Sequence, residues 1–96
     1  MIEVRQTDEF ALWFGSLRDR QARARIASRL ERMALGNYGD SKYVGGGVRE
    51  LRVDHGPGYR VYFVNRGETV VILLCGGDKR TQARDIAKAI AVAEDL

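Results

Sequence analysis

The feature that most constrains the fold of this chain is a row of three strand-like segments in its second half. Val48–Val53 and Tyr59–Val64 alternate along the chain, whereas Val70–Cys75 is apolar on both sides. Alternation with a period of two predicts half-buried strands, and a short apolar run predicts a strand buried on two faces. Gly56-Pro57-Gly58 and Asn65–Glu68 separate the segments and are rich in turn residues. Because connections this short join antiparallel neighbours, we predict an antiparallel meander.

The segments on either side of the meander predict one further strand and three helices. Apolar residues recur in them with strand or helical spacing, and capping residues precede the helices. The predicted elements are a strand at Met1–Arg5, a helix capped by Thr7 or Asp8, a helix from a cap at Asp19 to Leu35, and a helix at about Thr81–Glu94. The order β-α-α-β-β-β-α predicts a single α+β domain, residues 1–96, with helices packed on a mostly antiparallel, four-stranded sheet.

The segment Asn37–Gly47 has the composition of a glycine-rich connector, with Lys42 inside it. Phosphate-binding loops of the G-x-x-x-x-G-K-[ST] type need Lys-Ser or Lys-Thr after a glycine at a fixed spacing, and the segment lacks this pattern. We therefore expect turns here and no nucleotide cradle.

Length, hydropathy and cysteine content exclude several classes of protein. A chain of 96 residues has room for one core, and no apolar run approaches the ~20 residues of a membrane span. Met1–Arg5 lacks the apolar region of a secretory signal, and Cys75 has no second cysteine with which to form an internal disulfide. We expect a cytoplasmic protein with no membrane association. With one histidine and one cysteine, we expect no metal site and no cofactor.

Arginine dominates the basic residues: it accounts for 13 of the 16, in a chain of net charge +3. The guanidinium fork pairs with phosphate or carboxylate, so RNA, DNA or an acidic protein segment is the expected partner. A solvated basic surface remains the alternative. Arg25, Arg29 and Arg32 share one side of the second helix, here called the arginine face. This face could contact nucleic acid, water or an acidic partner.

Hairpin geometry brings several of these cations together. If a hairpin joins the first two strands of the meander, Arg52 lies opposite Arg60 and Glu50 lies opposite Tyr62, on the sheet face without the main core. The return of the next hairpin places residues 76–80 close to Arg60. The predicted cluster consists of Arg52, Arg60, Lys79 and Arg80, with His55 in the hairpin loop at the same end.

A cluster of this kind suits a strained phosphodiester, particularly if Tyr59 or Tyr62 is exposed and stacks on a base. A basic rim beside an ordinary sheet, with both tyrosines packed, is the alternative.

Several short motifs follow one another in a fixed order over most of the chain: Gly36-Asn37-Tyr38-Gly39-Asp40, Gly47–Arg52, Gly56–Phe63, Leu73–Lys79, then Gln82 and Asp85-Ile86. In this order they resemble the RelE/ParE superfamily of toxins from bacterial toxin–antitoxin modules, and within it the HigB-like "addiction module killer" branch. The resemblance implies a small α+β toxin fold and a neutralising antitoxin. In this branch the antitoxin is usually a helix-turn-helix protein that also represses the operon, so operator DNA is contacted only through the complex.

The resemblance implies three possible functions. Better-characterised relatives enter the ribosomal A site and cut messenger RNA without a metal, as the ribose 2′-hydroxyl attacks the adjacent phosphate. This endonuclease activity is the favoured prediction. ParE-type members instead inhibit DNA gyrase, and a copy of such a toxin can also be inactive and only bind its antitoxin.

The resemblance also assigns roles to residues. Arg60 matches the arginine that such nucleases hold against the scissile phosphate. Lys79 and Arg80 match the basic pair after the last strand, one member of which stabilises or protonates the leaving group. Arg52 and Lys42 stand where relatives carry basic residues of the second strand and the preceding loop. Independently of the resemblance, the arginine face is a candidate antitoxin contact because its three arginines lie together on one side of the second helix.

Two departures from the best-known relative leave the proton acceptor open. Glu50 stands in place of a lysine, and Ile86 in place of a catalytic tyrosine. Because arginine stays protonated, Arg52 is a poor acceptor for the 2′-hydroxyl proton. The acceptor would have to be Glu50, His55 or Asp78, although Glu50 could instead form an ion pair with an arginine.

Overall fold

Five strands form one mixed sheet in the computed structural model, which describes residues 1–96. The strands are β1 (Glu3–Gln6), β2 (Ser41–Gly45), β3 (Val48–Val53), β4 (Tyr59–Arg66) and β5 (Val70–Asp78), and the helices are α1 (Asp8–Ser16), α2 (Arg20–Ala34) and α3 (Gln82–Glu94). A 3₁₀ turn, Lys79–Thr81, joins β5 to α3. The sheet order is β1-β5-β4-β3-β2, in which β1 is parallel to β5 and the other pairs are antiparallel. The predicted α+β class is confirmed.

The prediction of four strands is wrong because the segment Asn37–Gly47 contains β2. Gly46 and Gly47 both have positive φ, which glycine adopts readily, and they close a tight hairpin between β2 and β3. Lys42 thereby lies opposite Glu50. The sequence predicts turns here because the segment is rich in glycine, which is uncommon inside strands.

The two N-terminal helices, α1 and α2, enclose the larger core against one face of the sheet. The Thr7 hydroxyl caps α1 by accepting a hydrogen bond from the backbone N–H of Phe10 (3.1 Å), and the Asp19 carboxylate caps α2 in the same way, as predicted. The core consists of Phe10, Ile26, Met33, Leu51, Val53, Val61, Phe63, Val71 and Leu73. None of the three helices is long and apolar enough to cross a membrane.

The C-terminal helix α3 covers the opposite face, which lacks the main core, as predicted, but carries a smaller one. A second buried cluster lies there, formed by Val48, Tyr62, Val64, Leu74, Cys75 and Ala89. Burial raises the pKa of the Cys75 thiol to about 11, so the thiol stays protonated. Glu50 and Tyr62 are completely buried beneath the same helix.

Two glycines in β5 let both helical layers approach the sheet closely. A Cβ on Gly76 would overlap the indole ring of Trp13 in α1, and a Cβ on Gly77 would overlap the carboxylate of Asp85 in α3. With these glycines in place, β5 continues three residues beyond its predicted end at Cys75. The start of α3 is thereby held against the sheet beside β3 and β4.

Candidate functional site

An open cleft of about 280 Å³ lies at one end of the sheet, where β3, β4 and the turn after β5 meet. Three cationic side chains line it, Arg52, Arg60 and Lys79, one from each of these segments. Two carboxylates, Asp40 and Asp54, share the wall with them. The remaining lining residues are Val53, Gly58 and Tyr59. Three positive and two negative side chains therefore line the cleft wall.

The strand register behind the cleft agrees with the prediction. Arg52 lies directly opposite Arg60, and Arg60 lies opposite Gly77 on its other side. Like charges placed opposite each other destabilise a sheet unless anions compensate them. Asp40 binds Arg52 through Nε and Nη2, at 3.1 and 3.3 Å, and Oε2 of Glu50 lies 3.7 Å from Nε of Arg60. Each arginine therefore has its own carboxylate.

Arg60 is almost buried yet forms part of the cleft wall. Its exposed fraction is 8 %, and Nη1 donates a hydrogen bond to the carbonyl oxygen of Gly58 (2.7 Å). Gly58 has a φ of +81°, and a Cβ there would lie 3.2 Å from Nη1 of Arg60 and 3.6 Å from Cβ of Lys79. The absence of a side chain at Gly58 thus leaves room for the Arg60 guanidinium beside the first carbon of the Lys79 side chain.

Glu50 and Tyr62 do not reach the cleft. Oε2 of Glu50 accepts hydrogen bonds from the Tyr62 hydroxyl (3.1 Å) and from Nε2 of Gln82 in α3 (2.9 Å). Burial and the neighbouring Glu50 charge raise the pKa of Tyr62 well above its usual value, so the hydroxyl remains a donor. The expectation that Tyr62 is exposed for stacking is wrong, and burial removes Glu50 from the candidate proton acceptors, because α3 covers both. Tyr59 lines the cleft instead, with its ring 6.4 Å from that of Trp13.

The basic pair after β5 is divided between the cleft and the solvent. Lys79 lines the cleft and makes no ion pair. Arg80 lies outside the cleft wall, its side chain 81 % exposed, with Nη2 3.0 Å from Oδ2 of Asp78. This contact holds the pKa of Asp78 below its ordinary value. Asp78 also accepts a hydrogen bond from the backbone N–H of Arg80, so its carboxylate is engaged outside the cleft.

His55 and Lys42 also lie outside the cleft wall. Nε2 of His55 is 3.2 Å from Oδ2 of Asp19, the cap of α2. The pKa of Asp19 is lowered, chiefly by the backbone N–H of Ala22 and then by His55. Lys42 is exposed on β2, an edge strand of the sheet.

The arginine face of α2 borders the cleft. Its three arginines line a neighbouring groove together with Ser28, Val53 and Asp54, and the last two residues also line the cleft. Nη1 of Arg29 donates a hydrogen bond to the carbonyl oxygen of Arg52 (3.1 Å), which ties α2 to β3. The groove and the cleft therefore form adjacent parts of one basic surface.

Asp40 and Asp54 are the cleft residues that sequence reasoning missed. The carbonyl of Asp40 accepts a hydrogen bond from the backbone N–H of Arg52 (2.9 Å), so its position depends on a β2–β3 pairing that was not predicted. Asp54 follows the last residue of β3, and the register of the hairpin would have been sufficient to locate it. It makes no ion pair, which distinguishes it from Asp40.

Residues 13–96, which include every residue of the cleft, match the family model described as phage-derived protein Gp49-like (DUF891). The chain belongs to this family. The Gp49-like family is related to toxin–antitoxin systems and is of the RelE/ParE-like toxin type, so it implies an antitoxin partner. The resemblance drawn from the motifs is confirmed at this level, and the HigB-like branch stays a prediction.

A relative is similar in sequence to this Gp49-like protein along nearly its whole length. An uncharacterized protein of Haemophilus influenzae is 46% identical over 95 residues, which cover 99% of this chain and 96% of the relative. The similarity therefore extends across all the elements that build the cleft.

Proposed function

We propose that this Gp49-like protein is the toxin of a toxin–antitoxin module, of the HigB-like branch, and that it cleaves messenger RNA on the ribosome and so arrests translation. The observation that carries the proposal is the convergence of Arg52, Arg60 and Lys79, from three separate segments, on one cleft. Guanidinium and ammonium groups arranged around one point match the non-bridging oxygens of a phosphodiester.

The proposed reaction uses the 2′-hydroxyl of the RNA itself. Its oxygen bonds to the adjacent phosphorus while the bond from phosphorus to the 5′ oxygen breaks, which leaves a cyclic phosphate and a free 5′-hydroxyl. Arg52 and Arg60 stabilise the charge that builds on the phosphoryl oxygens, and Lys79 gives a proton to the leaving oxygen. The proton of the 2′-hydroxyl passes to Asp54, the cleft carboxylate without an ion pair.

Further contacts to RNA extend beyond the reacting phosphate. Tyr59 stacks on a flanking base from the cleft wall, and Arg80 and Lys42, both exposed, contact backbone phosphates. His55 is paired with Asp19 outside the cleft and has no part in the proposed reaction.

The arginine face of α2 is the proposed contact for the antitoxin, a helix-turn-helix protein through which the complex reaches operator DNA. Three neighbouring guanidinium groups favour an acidic segment of such a partner. Because this groove shares Val53 and Asp54 with the cleft, a bound segment would lie against the cleft mouth.

Inhibition of DNA gyrase, as in ParE-type members, is the second candidate function. It is favoured by the position of the expected proton acceptors: Glu50 is buried, and both His55 and Asp78 are engaged outside the cleft. With Ile86 in place of a catalytic tyrosine, cleavage depends on Asp54.

Induced expression without antitoxin tests the proposal, with Arg60→Ala as the active-site variant and Arg66→Ala as its matched control. Arg66 is exposed at the other end of β4. Wild type and Arg66→Ala should arrest translation and leave cuts on ribosome-bound messages, mapped by primer extension, and Arg60→Ala should do neither. If Arg60→Ala is as toxic as wild type while translation continues, the nuclease proposal is rejected. Intact messages with an SOS response and gyrase–DNA cleavage complexes would assign gyrase, and unaffected growth would indicate an inactive copy.

A further inference from the structure

A buried polar network beneath α3 ends at Arg60. Glu50 has no exposed surface, and its Oε2 accepts hydrogen bonds from Tyr62 and from Gln82. The same oxygen lies 3.7 Å from Nε of Arg60. The donors belong to β4 and α3, so the Glu50 carboxylate cannot rotate without breaking a contact to one of them.

The network leaves two polar atoms without a hydrogen-bond partner, Nε of Arg60 and Oε1 of Glu50, and both are buried. The separation of 3.7 Å makes an ion pair but is too long for a hydrogen bond. Buried polar atoms without partners are unfavourable and rare in native structures, and a role in catalysis is one reason for their presence. The packing of the second core alone gives no reason for a carboxylate at this position.

We infer that Glu50 is a positioning residue for Arg60: its carboxylate, fixed by Tyr62 and Gln82, holds the guanidinium so that its outer edge meets a phosphate in the cleft. The inference rests on the proposed RNA cleavage. The hydrogen bond from Nη1 to Gly58 supplies a second fixed point, so the guanidinium plane is held at both ends. Donors that are already oriented stabilise developing charge without reorganising during the reaction.

If Glu50 acted only through its charge, its removal would have the opposite effect on cleavage. The substitution Glu50→Gln removes a negative charge beside the cleft, which by itself would attract RNA more strongly and speed cleavage. If Glu50 positions Arg60, the substitution slows cleavage instead, because an uncompensated guanidinium moves from its buried position toward solvent. The sign of the effect separates the two explanations.

Single-turnover cleavage of ribosome-bound message measures that sign. For Glu50→Gln we expect the rate constant at saturating RNA to fall roughly 10- to 100-fold, the scale of a misplaced catalytic group, with RNA affinity unchanged or tighter. Gln82→Ala, which removes one of the two hydrogen bonds, should lower the rate less. Glu68→Gln, the same charge change at an exposed turn residue, should behave as wild type. A Glu50→Gln rate at or above wild type overturns the inference while the proposed cleavage stands.

Hydrogen exchange of the Arg60 Nε–H in the free protein gives a readout independent of activity. The signal is identified in nitrogen-15 NMR spectra by its absence from Arg60→Lys. Exchange should be slow in wild type, where Nε is buried, and at least about tenfold faster in Glu50→Gln and Gln82→Ala, because local opening exposes it.

Gln82→Ala decides this measurement if Glu50→Gln does not fold. Unchanged exchange in every folded variant overturns the inference. If wild type cuts no message but exchange responds as expected, the proposed function fails and the positioning of Arg60 stands.

Discussion

Single side chains in the cleft differ in how firmly their neighbours hold them. The side chains of Arg52 and Asp40 are 51 % and 54 % exposed, and ion pairs this exposed contribute roughly 0–1 kcal/mol. Arg52 can therefore leave Asp40 for an incoming phosphate. The pair of Arg60 with Glu50 is buried, and breaking a buried pair by removing one partner destabilises a protein by about 3–5 kcal/mol. Arg52 is the adaptable cation of the cleft and Arg60 the fixed one.

In the proposed RNA complex, Asp40 and a phosphate compete for Arg52, so neutralising Asp40 should strengthen RNA binding. We expect Asp40→Asn to lower the dissociation constant for a short single-stranded RNA by about three- to tenfold, since a charge pair at contact in water is worth about 1 kcal/mol. Fluorescence anisotropy at fixed salt measures it, with Glu68→Gln as a control of equal charge change. Equal affinities for Asp40→Asn and the control would contradict the prediction.

Asp54 should affect the rate of cleavage and not the binding of RNA. We expect Asp54→Asn to lower the single-turnover rate roughly 10²- to 10⁴-fold, the range for loss of a general base. Its RNA affinity should not fall, because a negative charge is removed from the cleft wall. Asp95→Asn, an exposed residue after α3, serves as the control. A rate near wild type would exclude Asp54 as the proton acceptor.

At the scale of the elements, the packing of α1 and α3 on the sheet depends on two glycines in β5. Trp13 of α1 lies against Gly76, and Asp85 of α3 lies against the next residue, Gly77. The two helices are also joined by an ion pair between Glu9 and Lys88, with 3.0 Å between Oε2 and Nζ. The end of β5 is therefore the point at which both helical layers are attached to the sheet that carries the cleft.

A methyl group at position 76 should push Trp13 of α1 away from the sheet. We expect Gly76→Ala to reduce the free energy of unfolding by about 1–3 kcal/mol, the usual cost of overpacking. Gly15→Ala is the matched control: Gly15 lies in α1 with no atom near its Cβ position, and alanine there should stabilise the helix by about 0.5–1 kcal/mol. Urea unfolding measures both, and a Gly76→Ala variant as stable as wild type would contradict the packing described for Trp13.

Across the whole molecule, two basic surfaces meet along Val53 and Asp54. The cleft is the proposed site for RNA and the arginine face of α2 the proposed site for the antitoxin. Because the two share a wall, a partner bound on α2 would hinder entry of RNA. The two surfaces differ in their cationic side chains, so each can be altered separately.

Charge reversal on the arginine face should weaken antitoxin binding. We expect Arg25→Glu and Arg32→Glu each to raise the dissociation constant about tenfold or more, because attraction to an acidic segment becomes repulsion. Arg23→Glu, exposed on the same helix but outside the groove, is the control. Isothermal titration calorimetry with the purified antitoxin measures the affinities. If both groove variants bind as the control does, the antitoxin contacts another surface.

Local patterns were sufficient to predict the register of the cleft but not its surroundings. Arg52 lies opposite Arg60 because a short hairpin loop leaves few alternatives, and that pairing follows from sequence alone. The burial of Tyr62 depends on where α3 packs against the sheet. This long-range contact cannot be predicted from the alternation of polar and apolar residues along a strand. The pairing of β2 with β3 places Asp40 beside Arg52, and β2 was not predicted because its glycine-rich segment is typical of a loop.

The position of α3 has a consequence for synthesis. This helix is made after every strand, yet it supplies Gln82 and covers Glu50, on which the orientation of Arg60 depends. A nascent chain that has not yet added α3 lacks this support. The proposed cleavage of messenger RNA would therefore require α3, and a nascent chain without this helix should be a poor inhibitor of the ribosome that synthesises it.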